Sequence, residues 1–264
     1  MLEIRERKNK IKFAATIQAR MGSTRLPGKV LKDILGKPML LWQIERLRES
    51  KYLEEIIVAT TESKVDDQIV DFCQKNNVSC YRGSENNVID RIASLLQKFN
   101  IINNVECFGD SPLVDPKIID EYIEIFNKSG GNYDYLSNCI KTSYPPGLEV
   151  IIYKSETLIN LNDFLDKEDP LREHVGFNIT RFPKKFNIKS MVAPIEYTMP
   201  DFYLEVDSND DFILINEIFK HFANINQLKF YLFDILNLLK KKPELKNINN
   251  KTHRRWKTLR NENS

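Results

Sequence analysis

The first two thirds of this chain alternate short β-branched runs with amphipathic stretches, and that alternation leaves few folds open. Residues 13–17, 55–59, 79–82 and 105–108 read as strands bounded by polar or glycine punctuation. Between them Leu40, Ile44 and Leu47 recur at helical spacing, as do Val65, Ile69, Phe72 and Cys73, then Ile119, Tyr122, Ile123 and Phe126. Strand and helix in alternation predict an α/β fold: βαβ units and a mostly parallel sheet with helices on both faces. Past residue 130 the order is less regular, with strands expected at 149–153, 186–192 and 203–206 and helices near 155–165, 170–180 and 209–222. No glycine or proline linker marks a second folding unit, so one domain is expected over about residues 13–240. A further helix is expected within 228–239.

Ligands on such sheets bind beyond the carboxyl ends of the strands. The first strand runs into IQARMGSTRLPGK, where Arg20, Ser23, Thr24, Arg25 and Lys29 are donors and Gly22 and Gly28 are expected to let the backbone turn and approach a ligand. Apolar packing gives no reason to concentrate so many donors in one loop; a polyphosphate does. Asp110 ends another apolar strand in FGDSP, and Asp207 closes the run YLEV ahead of SNDD. Taken alone, Asp110 could be a turn former and Asp207 a helix N-cap.

Composition sets bounds. A chain of 264 residues, 42% hydrophobic and 29% charged, can bury a full core. A net charge of only +2 does not point to a nucleic-acid partner. Cys73, Cys80, Cys107 and Cys139 are widely spaced with no CxxC pair, which argues against metal or disulfide roles and fits a reducing cytoplasm. The charged segment 1–12 reads as a polar extension without a secretory signal, and no run of about 18 apolar residues suggests a membrane span. Residues 241–264 are strongly basic and nearly free of aliphatic side chains, so a mobile, solvated tail is expected; Trp256 amid Arg254, Arg255 and Lys257 leaves an acidic partner or membrane surface as the other reading.

Six segments in order, the basic loop, GSENNVIDR from Gly83, GDSPLVDP from Gly109, YPPGLEV from Tyr144, REHV from Arg172 and VDSNDD from Val206, resemble the cytidylyltransferase family. That family holds the CMP-KDO and CMP-acylneuraminate synthetases, and the similarity is greatest to its spore coat polysaccharide biosynthesis branch. The resemblance implies a Rossmann-like GT-A nucleotidyltransferase, working as a homodimer, that transfers CMP from CTP to a sugar acid or related acceptor for a surface polysaccharide or glycan. It implies that the first loop, with Ala19, Arg20, Gly22, Ser23, Arg25 and Lys29, wraps the triphosphate, and that Ser84, Asn87 and Arg91 lie near the cytidine. Asp110 and Asp207 would together hold Mg²⁺, an ion suited to one or two carboxylates plus substrate phosphates. Arg20 and Lys29 are the expected catalytic cations. An insertion at about 138–200 would cover the sugar site and form the dimer contact, with Tyr144, Glu149 and His174 near the acceptor; His174 could hydrogen-bond or deprotonate the attacking hydroxyl.

The chain also departs from that pattern. Asn86 and Asn87 stand where acidic residues are common, Pro146, Glu149 and Ile151 replace arginine, aspartate and glutamate, and Tyr203 stands where an arginine is frequent. Asp90 and Arg91 match, although a surface charge pattern on a helix explains them equally. Two rival readings follow: a GT-A glycosyltransferase, which would need a DxD-like pair that FGDSP lacks, and a non-catalytic paralogue serving as a subunit.

Overall fold

A computed structural model describes residues 9–252 and 254. The chain opens with strand β1 (Ile11–Gln18), which begins inside the expected polar extension because Ile11 is buried. The donor-rich loop follows, then a small hairpin of β2 (Asp33–Ile34) and β3 (Lys37–Pro38). Alternating units come next: α1 (Met39–Leu47), β4 (Glu55–Thr61), α2 (Asp67–Lys75), β5 (Ser79–Gly83), α3 (Val88–Lys98), β6 (Ile101–Phe108) and α4 (Pro116–Lys128). The remainder is β7 (Tyr135–Ser137), β8 (Ile151–Lys154), α5 (Ser155–Phe164), α6 (Val175–Thr180), β9 (Ile188–Ser190), α7 (Asn209–Asn224) and α8 (Leu232–Lys241).

Seven strands form one sheet in the order β5-β4-β1-β6-β8-β7-β9. β1 lies at its centre, parallel to β4 and β6, with Ile17 opposite both Val58 and Cys107. β8 runs antiparallel between β6 and β7, so the sheet is mixed but mostly parallel. The period-two alternation of β1 sends Phe13, Ala15 and Ile17 to one face, where α1, α2, α4, α7 and α8 pack, and Ala14 to the other, under α3, α5 and α6. Both faces are therefore covered, as a parallel sheet requires.

Helix starts follow local chemistry. Asp115 accepts a hydrogen bond from Lys117 N–H at the head of α4, ahead of Pro116, and its other oxygen accepts from Leu232 N–H, tying α8 to α4. Three expectations need correction. Residues 203–206 are not a strand of the sheet; they are tethered instead by Leu204 N–H to Pro146 O and Val206 N–H to Asp110 O. The helix expected at 170–180 is broken into a 3₁₀ turn, Pro170–Glu173, and α6, with His174 between them in a non-helical conformation. The basic tail is not wholly solvated: a 3₁₀ turn over Pro243–Asn247 follows α8, and Asn249 and Arg254 are buried. Its lack of aliphatic residues misled because polar side chains bury it. Trp256, Arg255, Lys257 and residues 1–8 lie outside the described residues. Among the described residues no helix is long and apolar enough to cross a membrane.

Candidate active site

The carboxyl ends of β1 and β6 lie side by side, held by Gly109 N–H to Gln18 O at 2.9 Å. Everything that leaves those two ends is therefore delivered to one place. The loop after β1 is pinned at its start: Ala19 N–H bonds Ala59 O, and Met21 N–H donates to Asp66 Oδ1 at 2.7 Å. Asp66 is itself buried and accepts from the Thr61 hydroxyl, so an acid on the next crossover fixes the loop. Further on, Gly28 N–H bonds Met21 O, closing the loop on itself. Gly28 takes a φ of +69°, where a side chain is disfavoured, and the chain turns there into the 3₁₀ helix Lys29–Leu31. Gly22 does not share that role: its φ is not left-handed, and a Cβ there would meet nothing within 4 Å.

This turn points Lys29 inward. Its Nζ donates to Asp110 Oδ2 at 3.0 Å, to Asp207 Oδ1 at 2.9 Å and to Val206 O at 2.8 Å. The two aspartates, distant in sequence, therefore lie no farther apart than two hydrogen-bond lengths. Arg25 Nη2 closes the far side of Asp207 at 2.7 Å from Oδ2. Burial alone would lower the Lys29 pKa, but the two carboxylates outweigh it and hold the ammonium above its ordinary 10.5. Burial likewise pushes Asp207 up, and Lys29 and Arg25 overcome that to hold it below its ordinary 3.8. Lys29 and Asp207 are thus held in their charged forms at neutral pH.

Asp207 is free for this work because it is not the helix N-cap. Ser208 is: its hydroxyl accepts from Asp211 N–H, and the Asp211 carboxylate accepts from Ser208 N–H and Asp207 N–H, a capping box. The segment carrying Asp207 is positioned from its other side by YPPGLEV. Gly147, at φ +103°, presses so close that a Cβ would stand 2.5 Å from Leu204 C and Glu205 N. Glu149 Oε2 accepts from Gly147 N–H, so that carboxylate shapes its own turn, while Tyr144 is buried in the core.

Ser84, Asn87 and Arg91 form a second cluster beyond β5. The Ser84 hydroxyl accepts from Asn87 N–H, Asn87 caps α3 by accepting from Asp90 N–H, and Arg91 Nη1 donates to Ser84 O at 2.7 Å. Arg91 is no surface charge: it is buried, and its Nε has no partner. Burial, and then repulsion from Arg20, lowers the Arg91 pKa to about 10. Arg20 itself is exposed and makes no ion pair among the described residues. Two guanidinium groups near enough to repel, one exposed and one buried, favour an anion between or beside them. Arg172, a residue of REHV that sequence reasoning passed over in favour of its neighbour, reaches back to donate to Asn87 Oδ1 at 3.0 Å and also bonds Asn162. His174 lies apart: Nε2 is 3.6 Å from Glu173 Oε1, and among the described residues no hydrogen bond or ion pair joins it to the Lys29 cluster.

Sequence reasoning thus named Arg25, Lys29, Asp110 and Asp207, which converge, and missed Asp66, Arg172 and Asp211. The last had a signal, the S-x-x-D spacing of a capping box.

The arrangement suits a polyanion held by Arg20, Arg25 and Lys29 beside two carboxylates that suit an oxygen-seeking cation. Among the described residues no cluster of three or more acidic, histidine or cysteine side chains is present, so two carboxylates are what the protein offers. Such a pair, completed by phosphate and water oxygens, matches the way Mg²⁺ is commonly held.

Comparison with known proteins identifies the family. A family model described as cytidylyltransferase matches residues 14–241. The spore coat polysaccharide biosynthesis protein SpsF of Bacillus subtilis is 30% identical over 208 residues, covering 77% of this chain and 85% of that protein. A cytidylyltransferase structure from Leptospira borgpetersenii superposes with a TM-score of 0.83 at 31% identity, covering 92% of this chain and 99% of that one. The structure of CMP:2-keto-3-deoxy-manno-octonic acid synthetase complexed with CTP shares the fold, with a TM-score of 0.59 at 18% identity over 80% of this chain and 99% of its own.

Proposed function

We propose, from the premise that this chain belongs to the cytidylyltransferase family, that it transfers CMP from CTP to a hydroxyl of a sugar acid or related acceptor and releases pyrophosphate. The observation that carries this reading is the Lys29 ammonium within 3.0 Å of both Asp110 and Asp207 at the carboxyl ends of β1 and β6. The acceptor oxygen forms a bond to the α-phosphorus while the bond to the pyrophosphate oxygen breaks, so negative charge gathers on the departing group. Such a transfer asks for positioning and cations rather than a protein nucleophile.

Arg20, Arg25 and Lys29 meet that need from one loop. Arg20 is exposed and without an acidic partner among the described residues, so it is ready to take phosphate oxygens. Arg25 and Lys29 are held by carboxylates, and a triphosphate would compete for them. Asp110 and Asp207 would then hold Mg²⁺, which supplies electrophilic polarisation of the phosphate when bound. Ser84 and Asn87 fit the nucleoside side: Asn87 Oδ1 already accepts from Asp90 N–H and Arg172 Nε, which leaves its amide N–H donors for a base or ribose. Tyr144 would wall the acceptor side, with Glu149 and His174 nearer its surface.

The same reading gives a homodimer formed through residues of 138–200. It is supported by Ile195, Val192 and Ile140, exposed by 89%, 55% and 44% in the single chain. Cys73, Cys80, Cys107 and Cys139, none in a disulfide among the described residues, suit the cytoplasm proposed as its compartment.

The test is a pyrophosphate-release screen of four nucleoside triphosphates against sugar acids and sugar phosphates, with and without Mg²⁺. CTP-selective, Mg²⁺-dependent release with one acceptor class is expected. Absence of CTP binding in calorimetry would favour the non-catalytic paralogue, and sugar transfer from a nucleotide sugar would favour the glycosyltransferase.

A further inference from the structure

The stretch after α8 leaves the region matched by the family model, which ends at residue 241. It nevertheless returns to the back of the candidate site. Arg254 is 3% exposed and grips Asp211 with two nitrogens, Nη2 to Oδ1 at 2.7 Å and Nη1 to Oδ2 at 3.1 Å. Its guanidinium lies over the Tyr203 ring, 4.0 Å from the centroid, with Glu205 Oε1 at 3.7 Å. Asn249 adds a bridge, donating to Asp211 Oδ1 at 2.7 Å and Tyr203 O at 3.0 Å.

Asp211 is wholly buried. A buried carboxylate persists only with an opposite charge and full hydrogen bonding, and the tail supplies both. The same Asp211 Oδ2 that Arg254 holds also accepts from the Asp207 N–H at 3.0 Å, the Ser208 N–H at 2.8 Å and the Ser208 hydroxyl at 2.8 Å. The chain of contacts is therefore continuous: guanidinium, Asp211 carboxylate, Asp207 backbone, Asp207 side chain, Lys29. We propose that Arg254 is a positioning residue, and that Arg254 with residues 243–252 sets where the Asp207 carboxylate stands against Lys29 and Asp110. The inference rests on the reading that Asp207 belongs to the site. It adds to that reading a tail-borne support outside the family-matched segment.

Arg254 does not touch the reacting groups, so its loss should act through Asp207 alone. The experiment is the crystal structure of the intact, full-length protein as wild type, Arg254→Ala and Arg254→Lys, without substrate. The distance from Asp207 Oδ1 to Lys29 Nζ, 2.9 Å here, reports the site, and the pair of Lys154 with Asp134, 2.8 Å apart on a different edge, reports the rest of the body.

Arg254→Ala should move the Asp207 carboxylate away from Lys29 by about an ångström with the Lys154–Asp134 pair unchanged, and Arg254→Lys, which keeps the charge but not the two-pronged grip, should fall between. Where Arg254→Ala does not fold, Arg254→Lys carries the same comparison of the two pairs. An Asp207 carboxylate in the wild-type place in a folded variant, or an equal displacement at both pairs, overturns the proposal. The comparison needs no substrate, so it decides the positioning role even if the pyrophosphate screen is silent. In an active enzyme, the alanine variant should lose about a hundredfold in kcat/KM, the order expected for a carboxylate misplaced by an ångström.

Discussion

The proposed nucleotide side and the proposed acceptor side of this molecule are built differently. On the nucleotide side, Arg25, Lys29, Asp110 and Asp207 form one closed ionic cluster at the ends of the two central strands. On the acceptor side, His174 sits half-exposed beside Glu173 between two helical pieces, and Ile195 and Val192 face outward. Rigid groups on strand ends are preorganised for a fixed chemical step, whereas side chains on short, irregular pieces are free to differ with the substrate. On the proposed function, one half of the site is organised for the reaction and the other for the choice of acceptor.

The harshest way to break this comparison is Asp110→Asn. With the charge removed but the shape kept, pyrophosphate release should fall by about a hundred- to a thousandfold, while thermal unfolding moves little. A variant with near-normal turnover would remove Asp110 from the chemistry.

Next in size is Gly147→Ala, which attacks the seam between the two sides. At φ +103° with a Cβ only 2.5 Å from the Leu204 carbonyl carbon, the substitution should cost about 3 kcal/mol or more in denaturant unfolding. Stability within about 0.5 kcal/mol of wild type would mean that this contact does not hold the Asp207 segment.

Glu106 lies elsewhere, buried on β6 between the end of β1 and the head of α6. Gln18 at the end of β1 donates to its Oε1 at 2.9 Å, and Gly176 at the head of α6 packs against it. Burial, only partly offset by hydrogen bonds from Gly176, Tyr153 and Gln18, lifts its carboxyl from the ordinary 4.5 to about 7. The folded protein then holds that proton more tightly than the unfolded chain does. Its contribution is full at low pH and is lost as pH rises from about 4.5 to about 7. Glu106→Gln should therefore gain stability relative to wild type at pH 8, by at most about 3 kcal/mol, and gain nothing at pH 4. A gain of the same size at both pH values would refute the assignment.

The smallest effect sharpens the contrast instead. His174→Ala should raise the acceptor KM by about tenfold while leaving the CTP KM unchanged, the pattern of a lost binding contact. A matching rise in the CTP KM would place His174 on the nucleotide side.

These differences in construction also decide what could be read from the residues alone. Asp110 was legible because it follows an apolar strand that ends at the sheet's rim, Asp207 through the family resemblance of VDSNDD, and Lys29 because a donor-rich loop has no packing rationale. The parallel half of the sheet was legible by periodicity. β7, three residues long, carries too little period to be seen, and residues 203–206 look like a strand because extended backbone tethered to Pro146 and Asp110 has strand composition without a sheet neighbour. Arg91 could be read equally as surface charge or as a nucleotide contact because its acceptor is a backbone oxygen, Ser84 O, which leaves no mark in the sequence. Arg254 was hidden for the same kind of reason: its partner, Asp211, lies 43 residues away inside a run of acids, and no local pattern connects them.

Anomalous diffraction from crystals grown with CTP and Mn²⁺ puts the shared role of Lys29, Asp110 and Asp207 to its sharpest test. The expected result is a single manganese peak bound by both aspartates and by triphosphate oxygens, with Lys29 turned from the carboxylates to the phosphates. A triphosphate seated elsewhere, or a cluster in which Lys29 still bridges the two aspartates with the nucleotide bound, would contradict it.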